Sequence, residues 1–590
     1  MAYLTCAIDL DELVKPAGPP VRPWSPEPFP VAGLQPGMTR LIIIGGVAGG
    51  ATAAARARRL DETAEITVLE RGPYVSYANC GLPYYIGRDI QKRSALLLQT
   101  PEGFDARYGV KVRVNTEALE LDRAGKRVRV RGPEGEAWLP YDALIMAQGG
   151  LPIMPPLPGA DAPHVFRLWT VPDVDRLDAY LAEGKPASAV VVGGGFIGLE
   201  MAEAFRQRGL RTTVVELLPT VMGVMDRELG VAVGEELTAN GVQVITGVGL
   251  KAVRGADRSV ELSDGRRVPA DLVLFSVGVR PELTLARSAG LALGPSGGLE
   301  VDEHLRTSDP HVWAAGDMVE VVQKVSGRKV RIPLAGPANR QGRIAATNAL
   351  GGAMRYEGAL GTSVVKVFEA TAAMTGLTER AAREAGFDVG VAVLHKDHHA
   401  GYYPGAKELT LKLVYRRPDG LLLGAQAFGH AGVEKRIDVL ATALHGRMTL
   451  DDLAQLDLAY APPYSSANDP VNLAAFIGQN DLSGFSPVVT AAGLAAELAG
   501  PTPPLVLDVR TLGEWGKGHL AGAVHLPVDD LRYELAQVPR GRRLVIHCRS
   551  GFRAHLALRI LKQHGHEDVR NLTGGWLSMQ AEPGLTMEME

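Results

Sequence analysis

Cysteine is scarce. Cys6, Cys80 and Cys548 are all that 590 residues hold, too few for a disulfide framework in a chain of this size. Long apolar runs are missing too. The longest, Leu41 to Ala55, is glycine-rich and followed at once by Arg56, Arg58 and Arg59. It is too short to span a bilayer, and a buried strand turning into a helix explains it. Charge of one sign is also lacking: the net charge is −4 with acids and bases mixed, which excludes a nucleic-acid footprint and a polybasic membrane patch. The N-terminus carries Asp9, Asp11 and Glu12 where a secretory signal would be basic, so none is expected and the cytoplasm is the default. No metal site is expected.

What is there is an ordinary globular composition, 46% hydrophobic and 22% charged, on a chain too long for one core. Residues 1–37 are proline-rich without a sustained period and read as a flexible extension, with Met38 a candidate start. From Leu41, and again from Ala189, the order is strand, glycine turn, helix, strand. Such alternation implies parallel sheets with helices on both faces. A stretch of mixed α+β character, 356–475, has no glycine fingerprint. A short linker, 476–487, leads to a compact block at 488–590, with strands at Leu505–Val509 and Leu544–His547 and a helix after Phe552.

Two glycine turns point to nucleotides. In Ile44-Gly45-Gly46-Val47-Ala48-Gly49-Gly50, Gly45, Gly46, Ala48 and Gly49 are the candidate pyrophosphate contacts. Glycine lets backbone approach a pyrophosphate, and the helix N-terminus supplies amides and a favourable dipole. Val47 stands where the usual motif has its second glycine. Glu70 ends the next strand, where a carboxylate can bond a ribose diol, and Arg71 beside it is a further candidate. The second turn is cleaner: Gly193, Gly195 and Gly198, with Glu216 closing the following strand. Glu216 would repel a 2′-phosphate, which favours NADH over NADPH.

A third segment, Thr307 to Asp317, resembles the one that places an aspartate on the FAD ribityl chain in two-dinucleotide flavoproteins. Gly316 and Asp317 are its candidate contacts. That resemblance assigns FAD to a first fold made of 38–157 and 281–355, and NADH to an inserted second fold, 158–280. Ala147-Gln148-Gly149 departs from the usual Ala-Thr-Gly.

Ser76-Tyr77-Ala78-Asn79-Cys80-Gly81-Leu82-Pro83 follows. Here the chain resembles the coenzyme A-disulfide reductase and NADH oxidase branch of the pyridine nucleotide–disulfide oxidoreductases. Pro333 to Arg340, Gly361 to Phe368 and Tyr460 to Ser465 extend the match across 38–475. Cys80 has no cysteine neighbour in sequence, so its sulfur partner is expected from a bound molecule: a mixed disulfide with coenzyme A, a sulfenic acid or a persulfide. The resemblance implies a cycle. NADH reduces the flavin, electrons pass to the Cys80 mixed disulfide, a thiol leaves, and the Cys80 thiolate attacks the next disulfide or persulfide. It also implies that Ser76 and Asn79 line the thiol site, and that Tyr402 and Tyr460 protonate or orient the departing sulfur across a homodimer interface. Tyr403 competes with Tyr402 for that role. Arg56 and Arg59 either hold coenzyme A phosphates or form a solvated basic helix face.

The tail has Leu544-Val545-Ile546-His547-Cys548-Arg549-Ser550-Gly551-Phe552-Arg553, a cysteine at a strand's end before a helix. Loop amides, the helix dipole and the candidate anion contacts Arg549 and Arg553 favour a thiolate or a persulfide. The loop resembles the rhodanese active site. A cysteine–arginine phosphatase needs five residues between the two, and four separate Cys548 from Arg553. The fold class expected is therefore α/β: a two-dinucleotide-binding, Rossmann-like flavoprotein with an α+β dimerisation domain (356–475) and a C-terminal α/β rhodanese domain (488–590). The function this implies is NADH-dependent reduction of small-molecule disulfides, persulfides or polysulfides, coenzyme A disulfide among them, coupled to a sulfane-sulfur carrier. An oxygen-reducing NADH oxidase, or a redox-sensing flavoprotein with a docking module, stay open as alternatives.

Overall fold

The computed structural model describes residues 39–588, so Cys6, Met38 and the extension read at 1–37 lie outside the described residues. Five parallel strands form the first sheet, in the order Val312–Ala314, Ala143–Met146, Arg40–Ile44, Glu65–Leu69, Lys111–Arg113. Leu41 to Ile44 are all buried, as a parallel strand covered on both faces must be. The strand turns into α1 (Ala48–Leu60), whose buried face is Ala53, Ala54 and Ala57. After Glu65–Leu69 comes a short helix, α2 (Leu82–Gly87), with Pro83 in its first turn, where a missing N–H goes unnoticed.

The second sheet repeats the plan. Its parallel strands run Gln243–Thr246, Arg211–Glu216, Ser188–Val192, Leu272–Phe275, Val165–Arg167. Ser188–Val192 leads through a glycine turn into α3 (Phe196–Gln207), which packs against α2. The chain then returns to the first sheet with Val312–Ala314, and α4 (Ala335–Ala349) lies along α1.

A third, antiparallel sheet follows: Ser363–Val367, Ala370–Gly376, Leu422–Gly429, Glu408–Arg416, Val389–Asp397. Helices α5 (Val433–His445) and α6 (Pro470–Leu482) cover it, burying Leu411, Leu413, Tyr415, Ile437 and Leu440. One expected boundary shifts: the segment read as a linker from 476 is helical to Leu482, because Asp469 caps α6 and its residues Ala474, Ala475 and Gly478 are buried. Lys412 of this sheet is 2% exposed and meets Asp226, Glu228 and Glu379, which ties the sheet to the second unit.

The last sheet is parallel, in the order Val488–Val489, Val569–Leu572, Leu544–His547, Leu505–Asp508, Val524–His525, with α7 (Phe552–Gln563) beside it. This unit docks on the edge strand Val389–Asp397. The Thr573 hydroxyl accepts from the Val393 N–H at 2.8 Å and donates to the Val393 carbonyl at 3.2 Å. His395 Nε2 lies 3.1 Å from Ser578 Oγ. A sheet edge that would otherwise be open is thereby covered.

Candidate active site

The two glycine turns match in backbone geometry residue by residue. Gly45 and Gly193 have φ of +100° and +104°, which only glycine adopts at no cost. A Cβ at Gly50 would lie 1.8 Å from the Gly45 oxygen, and one at Gly198 would lie 2.0 Å from the Gly193 oxygen. Gly50 is thus the counterpart of Gly198 and joins Gly45, Gly46, Ala48 and Gly49 in the candidate set; counting five residues on from Gly45 finds it. The Val47 departure is harmless to the backbone, since Val47 has φ −99° and Gly195, in the same place, −86°. Both acids are seated alike. Glu70 accepts from the Gly46 and Gly72 amides at 2.9 and 2.8 Å. Glu216 accepts from those of Gly194 and Leu218 at 2.7 and 2.8 Å.

Beside the first turn lies a cavity of about 220 Å³ lined by Glu70, Arg71, Thr116, Gln148 and Glu282, among others. Arg71 reaches Glu282 at 3.5 Å. Gln148 Oε1 is buried there without a hydrogen-bond partner. Asp317 makes no side-chain hydrogen bond among the described residues, and burial pushes its carboxyl up to about 6. The Gly316 amide donates to Gln341 Oε1 at 2.7 Å. An orphaned amide oxygen, an unpartnered carboxyl and a turn that excludes Cβ atoms together suit a dinucleotide with hydroxyls to donate.

Cys80 sits in the turn Asn79–Gly81 immediately before α2, exposed and free. Ser76, at φ +46°, donates its amide to the Gly46 carbonyl at 2.8 Å, which fastens the cysteine segment to the first glycine turn. Asn79 Nδ2 donates to the Trp169 carbonyl at 3.1 Å. Two residues outside the expected set stand close. Tyr84 donates to Glu200 Oε1 at 3.0 Å, and burial pushes Glu200 up to about 7. Partial burial, then Glu200, push the Cys80 thiol up, although the α2 N-terminus pulls the other way.

Tyr402 and Tyr460, 58 residues apart in the chain, are brought together with hydroxyl oxygens 3.3 Å apart, and both rings are exposed. Tyr403 instead sets its ring edge-on against His399, so Tyr402 is the one of the two that meets Tyr460. The basic run divides by role. Arg58 is buried and donates to five backbone carbonyls. Arg56 is half-buried, donating to Thr347 Oγ1 at 3.2 Å, and burial with nearby Arg343 and Arg59 pulls its pKa down. Arg59 is exposed and bonds its own helix at Ala55. Arg343, from α4, was missed because the cluster forms only when α4 lies along α1.

Cys548 is 2% exposed, at the end of Leu544–His547, and its Sγ accepts from the Gly551 amide at 3.1 Å. Arg553 faces the sulfur and also forms two 2.7 Å bonds with Glu514, which is held down to about 2. Arg549 turns outward to Glu408 of the third sheet at 2.7 Å. His547 is fully buried with neither ring nitrogen bonded, and burial pulls it down to about 4.

Residues 39–342 match the model of the pyridine nucleotide-disulphide oxidoreductase family. The chain belongs to that family. Residues 362–470 match its dimerisation domain and 490–582 a rhodanese-like domain. The NAD(P)H sulfur oxidoreductase (CoA-dependent) of Pyrococcus abyssi is 36% identical over 433 residues, 73% of this chain and 96% of that one. The coenzyme A disulfide reductase of Staphylococcus haemolyticus is 32% identical, over 74% of this chain and 98% of that one. Among solved structures, reduced CoADR-RHD of Bacillus anthracis has a TM-score of 0.90 at 40% identity, covering 92% of this chain and 98% of that one. A NAD-dependent persulfide reductase from A. fulgidus has a TM-score of 0.85 at 37% identity, covering 91% and 99%.

As a member of this oxidoreductase family, the chain works with FAD and NAD(P)H. The expected α/β architecture with an α+β dimerisation domain and a rhodanese domain is the one found. No helix among the described residues is long and apolar enough to cross a membrane.

Proposed function

We propose that this oxidoreductase uses NADH to reduce sulfur–sulfur bonds in coenzyme A-linked persulfide, polysulfide and disulfide substrates, with Cys80 as the exchanging sulfur and Cys548 as a carrier of sulfane sulfur. The observation that carries the reading is the lone Cys80. It stands at the start of α2, fastened to the first glycine turn, and the other described cysteine, Cys548, belongs to a separate unit. Among the described residues an internal disulfide has no second partner, which supports an exchanging bond that includes a substrate sulfur. Relatives named for coenzyme A-dependent sulfur, disulfide and persulfide reduction support the same choice.

FAD would be held by Gly45, Gly46, Ala48, Gly49, Gly50, Glu70, Arg71, Gly316 and Asp317, and would relay two electrons from NADH toward Cys80. Gly193, Gly195 and Gly198 leave room for NADH, and Glu216 excludes a 2′-phosphate. Leu217 and Leu218 follow it, so neither of the next two positions supplies a cation for a 2′-phosphate. Ser76 and Asn79 shape the pocket, and Arg56, Arg59 and Arg343 present positive charge to the phosphates of coenzyme A.

A raised thiol pKa makes Cys80 a poor leaving group, so its mixed disulfide persists until reduced. The Cys80 thiolate attacks the inner sulfur of coenzyme A persulfide; the Cys80–S–S–CoA bond forms and hydrosulfide leaves. Two electrons and a proton then regenerate Cys80 and free coenzyme A. Tyr402 and Tyr460, on loops of the dimerisation domain of a homodimer, supply a proton to the sulfur that departs when the Cys80 thiolate attacks. In the tail, Cys548 persulfide passes its outer sulfur to a coenzyme A thiolate and returns to thiolate. Free thiols in both roles suit a reducing compartment, the cytoplasm.

The test is anaerobic NADH oxidation with coenzyme A disulfide, coenzyme A persulfide and polysulfide side by side, on wild type, Cys80→Ser and Cys548→Ala. Turnover lost in Cys80→Ser supports the reading. Rapid NADH consumption in air without any sulfur acceptor, equal to the best sulfur rate, would make the protein an oxidase instead. Persulfide and polysulfide rates unchanged in Cys548→Ala would sink the relay alone.

A further inference from the structure

Two loops carry Tyr402 and Tyr460, and neither tyrosine is packed in place by its own ring. Something else must hold hydroxyls on exposed side chains 3.3 Å apart. Beneath them lies a buried polar cluster outside the machinery described above. Arg436, on α5, is 1% exposed, with Ser465 at 1% and Asp469 at 2%. Arg436 Nη2 donates to the His398 carbonyl at 2.7 Å and to Asp469 Oδ2 at 2.9 Å, while its Nε lies 3.3 Å from Asp469 Oδ1. Ser465 Oγ donates to Asp469 Oδ2 at 2.7 Å and lies 3.4 Å from Arg436 Nη2.

The cluster reaches both tyrosines through the backbone. His398 opens the first loop. Ala400, two residues before Tyr402, donates its amide to the Ser465 carbonyl at 3.0 Å, and the Tyr403 amide returns to the Ala400 carbonyl at 2.9 Å. On the other side, the Ser465 amide donates to the carbonyl of Ala461, the residue after Tyr460, at 3.1 Å. Asp469 meanwhile caps α6, so the second loop is anchored on a rigid element. A fully buried guanidinium–carboxylate pair is weak evidence for stability in itself, because desolvation offsets its attraction. A geometric duty accounts better for its presence here.

We infer that Arg436, Ser465 and Asp469 form a clamp that positions Tyr402 and Tyr460 as one proton-delivering pair. Arg436 is a positioning residue: it touches no reacting atom. The inference rests on the reading that the two tyrosines serve the departing sulfur, and its test separates the two ideas.

The experiment is a double-mutant cycle on FAD-loaded holoenzyme, reading NADH-dependent reduction of the enzyme apart from its reoxidation by coenzyme A disulfide. Tyr402→Phe and Tyr460→Phe are expected to slow reoxidation roughly a hundred-fold, as loss of a general acid does. Arg436→Lys is expected to slow it about ten-fold with KM little changed, and to leave reduction by NADH as it was. Placed on Tyr402→Phe, Arg436→Lys should cost less than about two-fold more, since residues acting as one unit are not additive. Full additivity would overturn the clamp while leaving the tyrosines their role. Unchanged reoxidation in both tyrosine variants would overturn both. If Arg436→Lys does not yield holoenzyme, Ser465→Ala, which keeps the backbone bond and removes only the hydroxyl, decides by the same cycle.

Discussion

Cys80 works where its thiolate is disfavoured, and that shapes what its loss should do. Cys80→Ser is expected to leave NADH-dependent reduction of an artificial electron acceptor intact while sulfur–sulfur reduction falls on the order of a thousand-fold, as removal of a nucleophile does. A parallel fall in both activities would show that Cys80 is needed for cofactor binding instead. Glu216 gives a second residue-scale expectation. Glu216→Ala should raise NADPH use relative to NADH by about ten-fold, or roughly 1.4 kcal/mol, read as the ratio of kcat/KM values. At this scale the sequence was most legible where chemistry restricts residue type: the lone cysteines, the acids closing each nucleotide strand, the paired glycines. It was silent on Arg343, Glu200 and Arg436, whose significance comes from helices and loops meeting across long sequence separations.

Elements were legible where one period or one cap dominates. Leu41–Ile44 reads as a buried strand because nothing polar interrupts it. The extent of α6 was less clear, since its end lies in a run whose burial is decided by the third sheet. The glycine turns make a sharp expectation: Gly45→Ala would place a Cβ 2.2 Å from the Ala147 oxygen at φ +100°, so the variant should lose bound FAD and melt at a lower temperature. Docking of the tail on Val389–Asp397 should depend on pH through His395, whose Nδ1 also bonds Thr410 Oγ1 at 2.9 Å. Burial pulls His395 down to about 4 from its usual 6.5. Docked His395 resists protonation, so its contribution is present above pH 6.5 and lost as pH falls toward 4, by about 3 kcal/mol at most. Limited proteolysis between residues 483 and 487 should therefore quicken below pH 6, and no longer do so in His395→Gln. Glu408 and Arg549 face the same seam, 2.7 Å apart.

At the scale of the whole molecule, buried charge holds units together. Lys412→Met would leave Asp226, Glu228 and Glu379 without their shared cation, at a cost of about 3–5 kcal/mol; a melting curve checks it. The order of units was legible because each carries its own local signature. How the tail sits on the third sheet was not, because its partners there, His395 and Glu408, carry no motif. The central claim, that Cys80 holds a substrate sulfur, is tested most directly by an anaerobic NADH titration of enzyme loaded with coenzyme A disulfide, counting released thiol. Wild type should take up one NADH, two electrons, beyond the flavin's own and release one coenzyme A in step, while Cys80→Ser takes up the flavin's alone and releases none. An identical titration for both proteins would contradict it.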